Sequence, residues 1–531
     1  MLAPARLRPQ RKATESAKPA TIQVKSYPAP TAGLVTNSTM PTAQSAMVLE
    51  NMWPTREGVE VRKGCVQQCT VSGAVVSLFE HLGSGKYFAA TGTDIYEFDG
   101  SSSGALTSSV SGLTSGAWVS YEVQNSGGNY LLCVNGADSL RRFDGASWLT
   151  ITGAGTGAIT GVTTADLSYV WGHRNRVFFV KDGTLSAYYL GVNSIAGAAI
   201  ELPLDAVFRK GGKLLLGGTW SSDSGSGMDD RCIFVTDRGE VAIYSGSDPG
   251  DVNNWSLQGV YDVGVSLGRY AVQQVGGDVL FLTTDGIIPL SAVVSKDPSQ
   301  LSGAAISAPI APTLNADIDY RPGNWRLSKW DTGGALFVAP MAESDIPVKV
   351  YAANTETVAW TTFTGWEASD IRGLGDAVYF GTRSGGIYRA WTGGYDDGVS
   401  FLGRVMLAPD GMTDLAGTKS ASTMQAVFKT RATPSYSMGI ARDYAHDFGN
   451  PPSASSVVAD EDLSEWDIAT WDVSSWGSDA TDYQIKYGWR GVNGVGFSFS
   501  PWVQVLSNSS AWVNAKLQRI DVTFTVGGVQ L

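Results

Sequence analysis

Between residues 80 and 393 one pattern of apolar and polar positions recurs. A run of aromatic and β-branched residues meets a polar, glycine-containing turn, and a second run follows that often ends in an aromatic. The clearest copies are Tyr87–Tyr96, Tyr130–Leu140, Val177–Ser186, Ile233–Tyr244, Val279–Ile288 and Val378–Tyr388. A weaker copy, Leu336–Pro340, has a longer insert before its return run, Val348–Tyr351. Short apolar runs bounded by Gly, Asp, Asn and Ser are strand-and-turn grammar. The Asp-Gly and Asn-Gly pairs supply the positive φ that tight hairpins need.

These hairpins begin near residues 87, 130, 177, 233, 279, 336 and 378, so the spacings are 43, 47, 56, 46, 57 and 42 residues. Periods of that length belong to propeller blades, each a four-stranded sheet of consecutive hairpins. A β-sandwich would show shorter spacing without this longer beat. The pattern predicts an all-β chain whose residues 76–393 form a β-propeller of about six to eight blades.

Beyond Gly393 the beat stops. Residues 394–531 hold longer alternating runs, such as Met424–Arg431 and Leu517–Val526. They predict an additional C-terminal β-sandwich-like domain, or strands extending the assembly. Between the two runs Trp466-Asp, Trp471-Asp and Trp476 recur at five-residue spacing. Helical periodicity is nearly absent. Only Thr42–Asn51, with Ala43, Ala46 and Met47 on one face, reads as a short helix. Residues 31–75 are therefore expected to hold that helix and a first strand. Residues 1–30, interrupted by Pro4, Pro9, Pro19, Pro28 and Pro30, are expected to be an extended N-terminal arm.

Composition agrees with β structure. The chain has 63 Gly in 531 residues, above the usual ~7%. It has 17 Trp and 20 Tyr but only 17% charged residues, so many tight turns join strands that pack large side chains. Net charge is −12. Residues 1–25 carry six cations against Glu15, a net of +5, which leaves −17 on the remainder. An acidic body argues against gripping nucleic acid, because such binders present basic faces. The basic arm could touch nucleic acid or dock on an acidic neighbouring subunit. Cys65, Cys69, Cys133 and Cys232 lack the spacing of a zinc set and read as buried thiols in a reducing cytoplasm. No apolar stretch approaches the ~18 residues of a membrane span, and no secretory signal opens the chain.

The inventory for catalysis is poor. His81, His173 and His446 are the only histidines, and each reads as structural. Gly264-Val-Ser266-Leu-Gly268 matches the nucleophile-elbow string, but no helical pattern follows it. Ser221–Ser226 begins like the Asp-box of sialidase-like propellers and lacks the closing Thr-Trp. The adjacent carboxylates Asp229-Asp230 and Asp396-Asp397 could in principle do acid/base work, but in Gly-rich segments they read as solvated turn residues. No phosphate loop, dinucleotide fingerprint or calcium loop appears. The chain is not expected to be an enzyme; no catalytic, cofactor-binding or metal-ligating residue is assigned, and no cofactor is expected.

One further signature lies near the N-terminus. Pro28-Ala-Pro-Thr-Ala-Gly33-Leu runs through Glu50-Asn51-Met52-Trp53-Pro54 to Gly58-Val-Glu-Val-Arg62-Lys-Gly64. This resembles a bacteriophage structural family with an "Ala-Pro-x-x-Gly-Leu" opening, a "Leu-Asn-Trp-x-Pro" stretch and a "Gly-Val-x-x-Arg-x-Gly" strand. Here Met52 stands before Trp53, a departure from that pattern. The ending Arg519–Gly528 is similar to the family's last strand. On this reading Pro54 ends the short helix, Trp53 anchors it, and Val59–Lys63 joins the first sheet. The family resembled is the tail nozzle or hub of podoviruses, the short-tailed phages. The resemblance implies a homohexameric ring that extends the DNA-ejection conduit below a tail adapter protein. It implies docking of tail fibres or a tail-tip protein, transient contact with passing double-stranded DNA, and a place in the virion tail after assembly in the host cytoplasm. It carries over no functional residue. An alternative is a receptor- or glycan-binding propeller at the virion surface.

Overall fold

The computed structural model describes residues 21–221, 230–341, 349–413, 416–431, 434–453 and 484–527. Seven sheets follow one another between residues 65 and 390, each built from antiparallel strands that are neighbours in sequence. The second blade shows the plan: Val119–Asn125 pairs with Gly128–Val134, then Arg141–Phe143, then Trp148–Thr150. The first strands of successive blades, such as Val119–Asn125, Leu167–His173 and Leu214–Trp220, lie beside one another around a common axis. Every hairpin expected from the sequence is the second and third strand of a blade, from Lys86–Ala90 and Ile95–Phe98 to Ala377–Gly381 and Gly386–Ala390. The fold is a seven-bladed β-propeller joined to a two-sheet β body.

Large side chains between blades explain why the ring holds. Phe88, Trp118 and Phe143 fill the space between blades one and two, and Trp171, Phe178 and Phe234 that between three and four. The seventh blade closes the ring. Its strands Asp370–Leu374, Ala377–Gly381 and Gly386–Ala390 accept Cys65–Thr70 as the fourth strand, with Ile387 opposite Cys69 and Ala390 opposite Cys65, and the short Gly104–Ala105 pairs beyond it. Joining the two ends of the ring in one sheet removes the free edges a linear array would leave.

Three local expectations are corrected. Residues Ser45–Glu50 form a strand, not a helix, and Met52–Pro54 is a second strand. Ala46 and Leu49 are fully buried and Met47 and Val48 half-buried, so the run is covered on both faces and loses the alternation that marks a strand. Val59–Val61 pairs with Met52–Pro54 and with Leu517, so it belongs to the β body; the strand after it, Cys65–Thr70, enters the propeller. Finally, helices occur where none was expected. Leu290–Ser295, Leu301–Ala304 and Ala311–Tyr320 stand where the fifth blade would have its fourth strand, and this excursion lengthens the spacing before blade six.

The body is not separate from the propeller. One of its sheets contains Ala515–Val526, Lys419–Thr430, Val59–Val61 and Met52–Pro54, with Ile22–Pro28 and Trp489–Gly496 at its borders. The other runs from Ser435–Arg442 through Phe499–Ser507, Phe401–Leu407, Ser45–Glu50 and Gly33–Leu34 into Ala359–Phe363, the last strand of blade six. Nine strands thus form one continuous sheet. Gly33 makes the junction possible: its φ is +78°, and a Cβ there would lie 2.5 Å from the Trp360 carbonyl oxygen. The core is shared as well, with Leu336, Tyr351 and Trp360 of blade six packed with Val405, Phe428, Val503 and Phe524. The described residues of 21–61 and 401–527 therefore make one body with blade six. Of the arm expected over residues 1–30, Ile22–Pro28 is a strand of the β body paired with Ala515–Val526, while residues 1–20 and the Trp466–Trp476 segment lie outside the described residues.

Candidate functional site

Two ionic clusters and two cavities stand out once the blades are placed. The first cluster fills the propeller axis. Arg326, on the first strand of blade six, lies 2.5 Å from Asp370 on the first strand of blade seven, and both are buried. The guanidinium stacks 3.8 Å above the centre of the Tyr270 ring, whose hydroxyl donates to the Trp118 carbonyl at 3.1 Å. Asp370 accepts from the Leu78 N–H at 2.7 Å, and Arg269 donates to the carbonyls of Asn135 and Ser168 at 3.1 and 3.0 Å. Burial pushes the Asp370 carboxyl up and the Arg326 guanidinium down to about 10, so Arg326 is still cationic near neutrality. This group ties most of the blades together at the axis and obstructs it.

The second cluster fastens the propeller to the β body. All five N–H groups of the fully buried Arg62 are used. Nε donates to Asn51 Oδ1 at 2.8 Å, and Nη1 and Nη2 reach the two carboxylate oxygens of Asp396 at 2.8 and 2.6 Å. The remaining two go to the carbonyls of Lys63 and Thr364. The guanidinium also lies 4.0 Å from the Phe401 ring centre, and Trp366 Nε1 donates to Asp396 at 3.2 Å. Asp396 is therefore not the solvated turn carboxylate expected from its adjacency to Asp397. Its partner lies 334 residues away, at a distance no local pattern reveals. Asp397, in contrast, accepts an exposed N–H from Gln67 at 3.1 Å.

The larger cavity, about 740 Å³, opens at one mouth of the axis, where the first strands of blades two to four end. Glu122, His173, Arg174, Arg176, Thr219 and Asp230 are among its walls. Arg176 is paired with Asp248 at 2.8 Å, and Glu122 accepts the N–H groups of Leu82 and Gly83 at 2.8 and 3.0 Å. His173 is buried, with Nε2 3.1 Å from the Gly246 carbonyl and Nδ1 3.1 Å from Thr219 Oγ1. Burial lowers its pKa to about 4, so near neutrality it is an uncharged wall residue. A smaller cavity, about 200 Å³, lies at the opposite mouth among Val75, Tyr270, Asn324 and Met341.

The other residues considered from sequence are dispersed. His81 is buried beside Ser84 Oγ at 2.8 Å, and His446 is exposed in a loop. Ser266 lies between blades four and five, where its hydroxyl donates to the Gly268 carbonyl at 3.2 Å and a strand, not a helix, follows. Asp230 borders the larger cavity, while Asp229 and most of the Ser221–Ser226 string fall outside the described residues. The four cysteines are buried free thiols, and burial raises the Cys69 pKa to about 11. Among the described residues no group of three or more His, Cys, Asp or Glu could hold a metal ion, and no helix is long and apolar enough to cross a membrane.

No family model matches the chain, and no curated protein matches it. Among solved structures it is similar to Raptor of Chaetomium thermophilum, at 11% identity over 62% of this chain and 29% of that one, with a TM-score of 0.38. It is also similar to BBS1N, from a complex with ARL6DN, at 9% identity over 62% of this chain and 98% of that one, with a TM-score of 0.35. A third is the Cps50 (Swd1) β-propeller domain of Myceliophteria thermophila, at 11% identity over 60% of this chain and 98% of that one, with a TM-score of 0.38. The chain thus spans under a third of the length of Raptor. Likeness this distant carries nothing about activity or partners, and the propeller assignment rests on the order and pairing of the chain's own strands.

Proposed function

We propose that the chain is a structural subunit of a short-tailed bacteriophage's tail nozzle or hub, assembling as a homohexameric ring that extends the DNA-ejection conduit. The propeller closes its own edges, so contacts between copies must come from the β body. The observation that carries the reading is that, among the described residues, one sheet of this body has two opposite edges with no further strand paired to them. On one border Tyr487, Trp489, Val495 and Phe497 are exposed along and beside Trp489–Gly496. On the other, Ile22 and Val24 are exposed on Ile22–Pro28, which among the described residues pairs only with Ala515–Val526. Unpaired strand edges with exposed apolar side chains are templates for a second chain. Two different edges meeting head to tail generate a ring when the rotation closes.

The same strand, Ile22–Pro28, continues from the basic N-terminal arm, which would lie on the acidic neighbour. The obstructed axis of each propeller supports placing the DNA path between copies, not through one. The reading assigns no reaction and no cofactor. An adapter above the ring, fibres or a tail tip below it, and a virion location after assembly in the host cytoplasm complete it. Light scattering of the purified chain with Trp489→Lys and Val495→Lys tests it. Both sites are exposed, so the fold should persist while the ring falls to monomers. A variant that assembles like the wild type removes this edge from the interface.

A further inference from the structure

The turn that ends Ser435–Arg442 carries a side chain its backbone does not favour. The Ala445 N–H donates to the Arg442 carbonyl at 2.9 Å, and the two residues between them have positive φ, +49° at Asp443 and +67° at Tyr444. Positive φ at both central residues is the pattern of a type I′ turn, in which Asp-Gly is a preferred pair. Asp443 meets the first half of that preference, and its carboxylate is occupied: Oδ1 accepts the N–H groups of Phe497 and Ser498 at 2.8 and 3.2 Å. Tyrosine, however, stands where glycine is expected. A bulky residue in the left-handed region is a true outlier, because its Cβ crowds the following carbonyl oxygen.

Strain of this kind persists where the side chain has a task. Within its own chain Tyr444 has none. It is 64% exposed, and among the described residues its hydroxyl makes no hydrogen bond and its ring no aromatic contact. The turn also lies against the border strand Trp489–Gly496, since a Cβ on Gly496 would meet the Asp443 carboxylate at 3.0 Å. Phe497, the next residue, is 44% exposed, and Val495 is exposed just before it. Asp443 therefore holds Tyr444 and Phe497 together at one corner of the β body, as two large exposed aromatics. Buried aromatic anchors dominate the energetics of protein interfaces, and a paired corner of this kind is suited to burial by a partner.

We infer that Tyr444, with Phe497 beside it, anchors the contact between neighbouring copies, seated against the border of the next copy that carries Ile22 and Val24. The inference rests on the ring reading. A second copy is the occupant because the corner continues the border strand Trp489–Gly496. A head-to-tail ring must bring that border to the opposite one, where Ile22 and Val24 are exposed. The strain then has a physical account: glycine would relax the turn but remove the ring that the neighbour covers.

The test is analytical ultracentrifugation of the 531-residue chain across a concentration series, with thermal melts of the dilute, unassembled protein. Tyr444→Gly and Tyr444→Asn both suit a left-handed backbone. Each should assemble about tenfold more weakly than the wild type, while Tm stays level or rises because the strain is gone. A purely structural tyrosine would give the opposite, a lower Tm with assembly unchanged. If Tm falls in both variants, Phe497→Ser decides, since it leaves the Asp443 turn in place: weaker assembly supports the anchor, and unchanged assembly overturns it. Wild-type rings with undiminished assembly in both Tyr444 variants overturn this inference alone. A wild-type chain that stays monomeric overturns the ring reading, and this inference with it.

Discussion

Lowering the pH should destabilise the propeller through His173 before most of its carboxylates respond. The ring is 2% exposed, with Thr219 and the Gly246 carbonyl at its two nitrogens. Nε2 must carry the proton, since the carbonyl can only accept. Burial pulls the pKa down from 6.5 to about 4; the Gly246 carbonyl opposes this, nearby Arg174 adds to it, and Asp230 opposes it weakly. The unfolded chain takes up a proton near 6.5, whereas the folded one holds out until about 4. Stability is therefore fully present above pH 6.5 and is lost as the pH falls toward 4. The whole gap corresponds to about 3 kcal/mol, and roughly 2 kcal/mol of it is gone by pH 5. Urea unfolding of the wild type and His173→Gln near pH 7 and near pH 5 measures this. Glutamine can still donate to the Gly246 carbonyl, and the carboxylates titrate alike in both proteins. The wild type should lose roughly 2 kcal/mol more than the variant between the two conditions. Equal losses would show that His173 is not held neutral by burial.

Arg62→Ala should cost about 3–5 kcal/mol in unfolding experiments, because it leaves Asp396 buried without its partner. A paired apolar replacement, Arg62→Met with Asp396→Leu, should recover much of that, and failure to recover would mean the hydrogen bonds to Asn51 and Thr364 dominate. Deleting residues 394–531 should not leave a folded propeller, since it strips the partners of Leu336, Tyr351 and Trp360. A cooperative melt of that fragment would contradict the shared core. Six copies carry a formal 6 × −12 = −72, so assembled rings should not retain duplex DNA in filter binding at low salt. Tight, strongly salt-dependent retention would point to a basic, gripping bore instead of a passive one.

The propeller was legible because the middle strands of a blade are buried on both faces and joined by a turn whose residues are chemically constrained. Val279–Ile288, with Asp285-Gly286 at its turn, is such a case, and each of the seven hairpin starts falls on the second strand of a blade. The strand Ser45–Glu50 was misread because burial on both faces erases a two-residue period. The helix Ala311–Tyr320 was missed because its buried positions reduce to Leu314 and Ile318, too few to show a stripe. The joining of blade six to the body through Gly33–Leu34 depends on pairings across more than three hundred residues, which no local pattern encodes. The candidate site was less legible than the fold. Arg174 and Asn175 look like an ordinary polar turn until their φ values are known, and Asp396 looks solvated until Arg62 is found against it.

The most direct test of the ring reading is electron microscopy of the purified 531-residue chain. The account predicts six-fold rings with an open axial hole, each of six 56.2 kDa copies, about 337 kDa in all. The propellers should be intact and separately visible, and neighbouring copies should touch through the β body. Single, unassociated propeller-sized particles at tens of micromolar protein, or rings joined propeller to propeller, would contradict it.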